Sequence, residues 1–307
     1  MKWRKLGIVW NTDGQQAWSR SHAMCPTPFR INESTIRVYV TTLDLQGRGR
    51  GTYVDVDAMD PTKVIHVAQT PVLDIGEPGT FDDNGVVPLS VVRASSDAVY
   101  MYYAGFEICS RVRYRIFTGL AISHDGGATF TRHQRTPVLD RTDTELYFRC
   151  GPHVRKEGGK FRMWYVAGSD WLDLDGKSMP IYDIRYAESL DGIHWPEQGT
   201  TVLPITDEDE HGFGRPWMVT RSSAEQELYY SVRRKSFGAY RMGFARSSDG
   251  LNWHRADDSF GIDVSDAPFE TEAVMYAAVI DVDGKEYCFY NGNGFGRDGF
   301  AVAERLA

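Results

Sequence analysis

At 307 residues the chain is long enough for two average domains or one large all-β domain, and 42% hydrophobic with 25% charged residues is ordinary for a folded protein with a sizeable core. A formal net charge of −8 with no basic run excludes a nucleic-acid groove, which needs clustered Lys and Arg against phosphates. No stretch approaches the ~20 apolar residues that span a bilayer, and Met1–Trp10 carries charges but no signal-type apolar core, so a cytoplasmic protein with no membrane partner is expected.

In chain order, one three-strand pattern recurs five times. The first unit opens at Pro26–Ile31, continues through Ile36–Val40 and ends at Gly51–Asp57. The second runs through Gly85–Arg93, Val99–Gly105 and Thr118–Ser123, and the third through Gly151–Arg155, Phe161–Gly168 and Ile184–Ser189. The fourth takes Arg215–Arg221, Leu228–Val232 and Met242–Ser247; the fifth takes Glu272–Asp281, Tyr287–Gly292 and Gly299–Glu304. Aromatic and β-branched residues dominate the middle run of each unit, which is a strand signal. Three of the third runs lead into an Asp-Gly turn followed by an aromatic, at Ser123–Phe130, Ser189–Trp195 and Ser248–Trp253. A similar Asp-Gly stretch, Thr12–Trp18, stands near the N-terminus, where no complete unit precedes it, while the last unit stops soon after its third strand. The spacing therefore predicts an all-β, five-bladed propeller with four-stranded antiparallel blades. Residues 1–307 form one domain, and the N-terminal segment supplies the outer strand of the last blade.

Innermost propeller strands line a central channel, so residues just before each opening run converge there. They are Ser21-His22, Phe81–Gly85, Tyr147–His153, Gly214–Trp217 and Phe269–Glu272. Cleaving a glycosidic bond needs one protonated and one ionised carboxylate. Asp83 and Glu272 are the candidates, with Asp82 as a nearby modulator. Arg149 and Arg215 are expected to hold hydroxyls, a carboxylate or a phosphate of the ligand. His22, Asn84, His153 and Asn291 complete the expected substrate-binding set. Each has a plainer reading: Asp82–Gly85 is also a turn sequence, Arg215 is also a salt-bridge partner, and His22 and His153 are also structural histidines. The run Asn291–Gly296 looks like a phosphate loop but has no helix behind it, so a turn is expected. No G-x-S-x-G elbow is present. Cys25, Cys109, Cys150 and Cys288 form no C-x-x-C pair, so free thiols and no metal are expected.

These same stretches carry a resemblance. Through Ser21-His22, Thr80–Gly85, Pro180–Ser189, Arg215-Pro216 and Tyr290–Gly296, nearly the whole chain resembles the five-bladed glycosidase-like proteins often encoded with bacterial surface-polysaccharide genes. More distantly it is similar to glycoside hydrolase families 43, 32 and 130. The resemblance implies cleavage or transfer of a glycosyl group, by hydrolysis or phosphorolysis, on a carbohydrate or a nucleotide-linked or phosphorylated sugar. Those hydrolases place an acid in the first blade, where this chain offers His22 followed by Ala-Met-Cys-Pro. That departure opens two alternatives: a non-catalytic carbohydrate-binding propeller, and isomerisation or elimination on an activated sugar. No cofactor is expected; some five-bladed glycosidases hold calcium in the channel, but no motif here asks for it.

Overall fold

A computed structural model describes residues 1–306. In chain order the strands are β1 (Trp3–Trp10), β2 (Ser21–Arg30), β3 (Thr35–Leu43), β4 (Gly49–Asp57), β5 (Val64–Val67), β6 (Val86–Arg93), β7 (Val99–Ile108), β8 (Tyr114–Ser123), β9 (Thr131–Arg132) and β10 (Phe148–Glu157). They continue with β11 (Lys160–Leu174), β12 (Lys177–Ser189), β13 (Thr200–Leu203), β14 (Glu210–Ser222), β15 (Glu225–Arg234), β16 (Tyr240–Ser247), β17 (His254–Arg255), β18 (Met275–Val282), β19 (Lys285–Asn291) and β20 (Phe300–Arg305). Among the described residues, no helix is long and apolar enough to cross a membrane.

Each expected three-strand unit is an antiparallel meander to which a short outer strand is added. The units are β2-β3-β4-β5, β6-β7-β8-β9, β10-β11-β12-β13 and β14-β15-β16-β17. In the last, β18-β19-β20 is completed by β1, which runs antiparallel to β20 from Trp3 opposite Arg305 to Trp10 opposite Phe300. The expected similarity of Thr12–Trp18 to the other Asp-Gly turns does not extend to its place: it follows an outer strand and leads into β2, whereas the other three connect a third strand to a fourth.

The opening strands pack in a cycle, β2 on β6, β6 on β10, β10 on β14, β14 on β18 and β18 on β2. Apolar cores fill the wedges between successive units. One joins Tyr39 and Tyr53 to Met101 and Phe117; another joins Val282, Phe289 and Phe300 of the last unit to Val38 and Val54 of the first. Burying side chains of this size contributes roughly 1.5–3 kcal/mol each, so the wedges are the main source of stability.

Polar staples recur with the units. In the three Ser-x-Asp-Gly turns the serine hydroxyl donates to the aspartate, at 2.6 Å for Ser123–Asp125, 3.0 Å for Ser189–Asp191 and 2.9 Å for Ser247–Asp249. An aromatic on the preceding unit then donates to the turn glycine's carbonyl: Tyr39 to Gly127, Tyr102 to Gly192 and Trp164 to Gly250. Gly192 combines φ +75° with a position where a Cβ would lie 2.6 Å from the Tyr102 hydroxyl. Only glycine meets both demands.

Candidate functional site

The cavity lies where the five opening strands meet. Each of these strands breaks register against its neighbour at the same depth: between Met24 and Thr27, Pro88 and Ser90, Cys150 and His153, Gly214 and Trp217, and Met275 and Ala278. Such bulges re-aim side chains. In four units the re-aimed residue has left-handed backbone: Cys25 at φ +54°, Gly151 at +64°, Arg215 at +46° and Tyr276 at +62°. All four line the cavity. A left-handed non-glycine residue costs about 1–3 kcal/mol, so Cys25, Arg215 and Tyr276 are strained where they face the cavity. Cys25 and Arg215 also precede prolines, a setting that ordinarily favours extended backbone.

The cavity measures about 780 Å³, within the range of small-molecule sites. Its floor comes from the opening strands, with Cys25, Val87, Leu89, Cys150, Gly151 and Arg215. Its upper wall comes from the hairpins joining second to third strands, which reach the same end of the sheets. These supply Arg113 and Tyr114, the Leu174–Lys177 tip, Arg233 with the Lys235–Gly238 tip, and Phe295. Tyr182 and Tyr240 share a hydroxyl–hydroxyl hydrogen bond within this wall. Gly212 leaves room for the Tyr182 ring, which a Cβ there would meet at 2.4 Å.

The charge of the lining is one-sided. Among the described residues, Arg113, Lys177, Arg215, Arg233 and Lys235 face a single carboxylate, Asp175, in a chain whose net charge is −8. Arg215 spans three units, donating to the Tyr276 carbonyl (2.7 Å), the Pro26 carbonyl (2.7 Å) and the Thr27 hydroxyl (2.7 Å). Burial with no carboxylate beside it pulls its pKa down to about 10, so it stays cationic at neutral pH. The Arg233 guanidinium lies 4.7 Å from the Tyr240 ring centre and 5.9 Å from that of Phe295. It is 9% exposed, and its Nε has no hydrogen-bond partner among the described residues. Cation–π contact is worth about 0.5–2 kcal/mol, less than the several kcal/mol that burying a charge costs. Burial also raises the pKa of Tyr114, Tyr182 and Tyr276, which therefore stand as neutral hydroxyls. The Cys25 thiol is pushed up to about 11 by burial and stays protonated.

Of the residues singled out from sequence, Arg215 alone lines the cavity; the others are placed elsewhere by identifiable contacts. Asp82 is buried outside it and accepts from Tyr103 Oη (3.0 Å), Arg132 Nε (2.8 Å) and Thr80 Oγ1 (2.9 Å). This is a repeated device. Glu145 takes Tyr165, Arg149 and Arg185; Glu210 takes Arg255 and Arg234; Glu270 takes Tyr290 and Lys5. Arg132, Arg255 and Lys5 all sit on outer strands, which places β1 in the same role as β9 and β17. Arg149 is thus committed to Glu145 and to the carbonyls of Asp140 and Pro196. Asp83 caps its own loop, accepting from the Gly79 N–H (2.8 Å) and Asn84 Nδ2 (2.5 Å). Glu272 is exposed and engages through its backbone, with its N–H on Asn293 Oδ1 and its carbonyl on Arg241.

Asn291 staples the last unit to the first: its Oδ1 accepts the Cys25 N–H, and its Nδ2 donates to the carbonyls of Ala23 and Gly299. His153 is buried against Trp217, ring centres 4.3 Å apart, and burial holds it neutral well below the usual histidine range. His22 is half-buried beside Ser21 Oγ (2.8 Å), and burial lowers its pKa too. The cavity residues that sequence reasoning misses are Arg233 and the tyrosine wall. Arg233 stands next to the last residue of a strand that the pattern does reveal, and the available signal is topological: in antiparallel units, second-strand ends stand beside opening-strand starts.

Known proteins share both the sequence and the fold. Over 303 residues the chain is 34% identical to the uncharacterized protein Rv1502 of Mycobacterium tuberculosis strain H37Rv, covering 99% of each chain. The chain belongs to the Rv1502 family. A second member, MT1551 of M. tuberculosis strain CDC 1551, is likewise 34% identical over 303 residues and 99% of each chain. No protein-family model matches. Among solved structures, the fold matches that of a BT0996–RGII complex with TM-score 0.75 and 20% identity, over 99% of this chain and 92% of that one. It matches a glycoside hydrolase with TM-score 0.75 and 19% identity, over the same shares of each chain. It also matches a structure from the GH130 family of mannoside phosphorylases, described as containing hydrolases of β-1,2 mannosidic linkages. There the TM-score is 0.68 and the identity 14%, over 94% and 85% of the two chains. The Rv1502 family thus has the glycoside-hydrolase-like all-β fold that the sequence resemblance implied.

Proposed function

We propose that the cavity binds a carbohydrate and that the protein cleaves or transfers a glycosyl group there. We read the five sheets as blades of one closed propeller ring in a single domain, which makes the cavity the mouth of its channel. The cyclic packing of opening strands and the outer-strand role of β1 support that reading. The observation that carries the functional proposal is the composition of the cavity: Tyr114, Tyr182, Tyr240, Tyr276 and Phe295 around buried Arg215 and Arg233. Aromatic faces suit the C–H faces of sugar rings, and tyrosine hydroxyls with guanidinium groups suit their oxygens.

Among the described residues, Asp175 is the only carboxylate of the lining, and it is exposed at a hairpin tip. Two-carboxylate hydrolysis calls for a pair across the bond. Phosphorolysis needs fewer protein carboxylates, because phosphate itself attacks, and the cationic lining favours it over hydrolysis. The same lack of a facing carboxylate pair favours, as a second reading, a carbohydrate-binding propeller without turnover. A role in surface-polysaccharide metabolism in the cytoplasm goes with the first reading. The test is calorimetric titration with mono- and disaccharides, followed by product analysis with and without inorganic phosphate. Phosphate-dependent formation of a sugar 1-phosphate supports the first reading. Binding without turnover supports the second, and no saccharide binding overturns both.

A further inference from the structure

We propose that the cavity selects an anionic saccharide, one bearing a phosphoryl or carboxylate group, and that Arg233 is the anchor for that group. The inference rests on the reading of the cavity as a carbohydrate site and names the substrate class it takes.

Buried arginines elsewhere in this protein are neutralised. Arg37 sits bidentate on Asp55 at 2.8 Å through both Nε and Nη2, Arg149 pairs with Glu145, and half-buried Arg255 meets Glu210 through two nitrogens at 2.7 Å. Arg233 is buried too, at 9% exposure, and has no carboxylate within ion-pair distance among the described residues. Its Nε is orphaned, and what surrounds it is aromatic: the faces of Tyr240 and Phe295, with Tyr182 and Tyr276 completing the wall. The aromatic faces offset part of the desolvation of a cation but supply no acceptor in the plane of the guanidinium. Its Nε is a buried donor without an acceptor, which is costly, and its Nη groups, which meet no protein acceptor either among the described residues, are left for a ligand to complete the fork. Phosphoryl and carboxylate groups are the oxyanions whose geometry fits that fork bidentately.

The rest of the lining agrees. Arg113 and Lys177 stand exposed at the mouth, and Arg215 holds its charge at the floor, so an anion meets cations along the whole depth. Lys235, the remaining cation, has its Nζ on the Glu208 carbonyl at 2.6 Å. In a chain of net charge −8, this concentration of positive charge is local to the cavity and focuses an anion into it.

The test is calorimetric titration of wild type, Arg233→Gln and Arg233→Lys with hexose 1-phosphates, hexuronic acids, the parent neutral hexoses and inorganic phosphate, with thermal melting of each variant. The expected result is that charged hexoses bind about tenfold or more tightly than their neutral parents. R233Q should erase that difference, R233K should keep part of it, and R233Q should melt at or above the wild-type temperature, because a structural arginine would lower it. Hexose 1-phosphates outranking hexuronic acids would identify the group as phosphoryl; the reverse order would identify carboxylate. Equal binding of charged and neutral hexoses, or a preference that survives R233Q, overturns the anchor and leaves the carbohydrate site standing. Arg233-dependent binding of inorganic phosphate with no gain from a sugar keeps the anchor and overturns the carbohydrate reading. A silent panel overturns both.

Discussion

Two sets of arginines occupy this protein, and they differ in what faces them. Away from the cavity, Arg132, Arg149, Arg185 and Arg255 clasp Asp82, Glu145 and Glu210, acids that stand just before or at the start of opening strands. In the cavity, Arg215 and Arg233 face carbonyls, a hydroxyl and aromatic rings. The first set is closed: every charge is met by another, and the site of each is fixed by the fold. In the second neither charge meets a carboxylate, and Arg233, which meets no acceptor at all among the described residues, is open on the side a ligand fills. Acids and bases at equivalent sequence positions therefore divide into structural staples and ligand-facing groups according to which way the strand turns them.

The contrast can be broken most forcefully at Glu145. Its carboxylate receives Tyr165, Arg149, Arg185 and the Gly199 N–H, so Glu145→Gln leaves the buried Arg149 guanidinium without a counter-charge, while Arg185 keeps Asp183 at 3.0 Å. A loss of about 3–5 kcal/mol is expected in urea denaturation. Arg215→Met removes three hydrogen bonds that join separate units but also removes an uncompensated charge, so a smaller loss of about 1–3 kcal/mol is expected by the same measurement. Arg233→Met should move the other way, by up to about 1 kcal/mol of added stability, because no protein acceptor is left behind.

The smallest effect concerns pH. Asp191 is held below its ordinary 3.8, first by the hydrogen bond from His194 and then by backbone N–H groups of its turn. Asp125 is lowered by Ser123 and Thr129, against the opposing effect of partial burial. A depressed carboxylate contributes stability that is present above its unfolded pKa and lost as pH falls through the folded one. The Asp191→Asn variant should therefore differ from wild type above pH ~4 and converge with it in more acidic solution. Thermal melts across that range check this.

Much of the architecture is legible in the sequence because it is periodic. The aromatic middle strands and the Ser-x-Asp-Gly turns repeat, and fifteen expected strands correspond to observed ones. The site is less legible. Asp82-Asp83 and Glu272 look channel-facing because they precede opening strands, yet the bulges that aim side chains lie within those strands, at Cys25, Gly151, Arg215 and Tyr276. Period-two reasoning breaks at a bulge, since one extra residue reverses which side chain faces inward. Arg215 is legible because it stands at that bulge. Arg233 is not, because no local pattern distinguishes it from Arg234, which reaches Glu210 instead.

Ligand binding between Arg215 and Arg233, with Asp83 and Glu272 standing apart from it, is tested most directly by a crystal structure. The protein would be soaked with whichever hexose 1-phosphate or hexuronic acid binds most tightly. The predicted result is density for the sugar against Tyr240 and Tyr276, with its anionic group on the Arg233 guanidinium. Density centred instead on Asp83, His22 and Glu272, with Arg233 untouched, would contradict it.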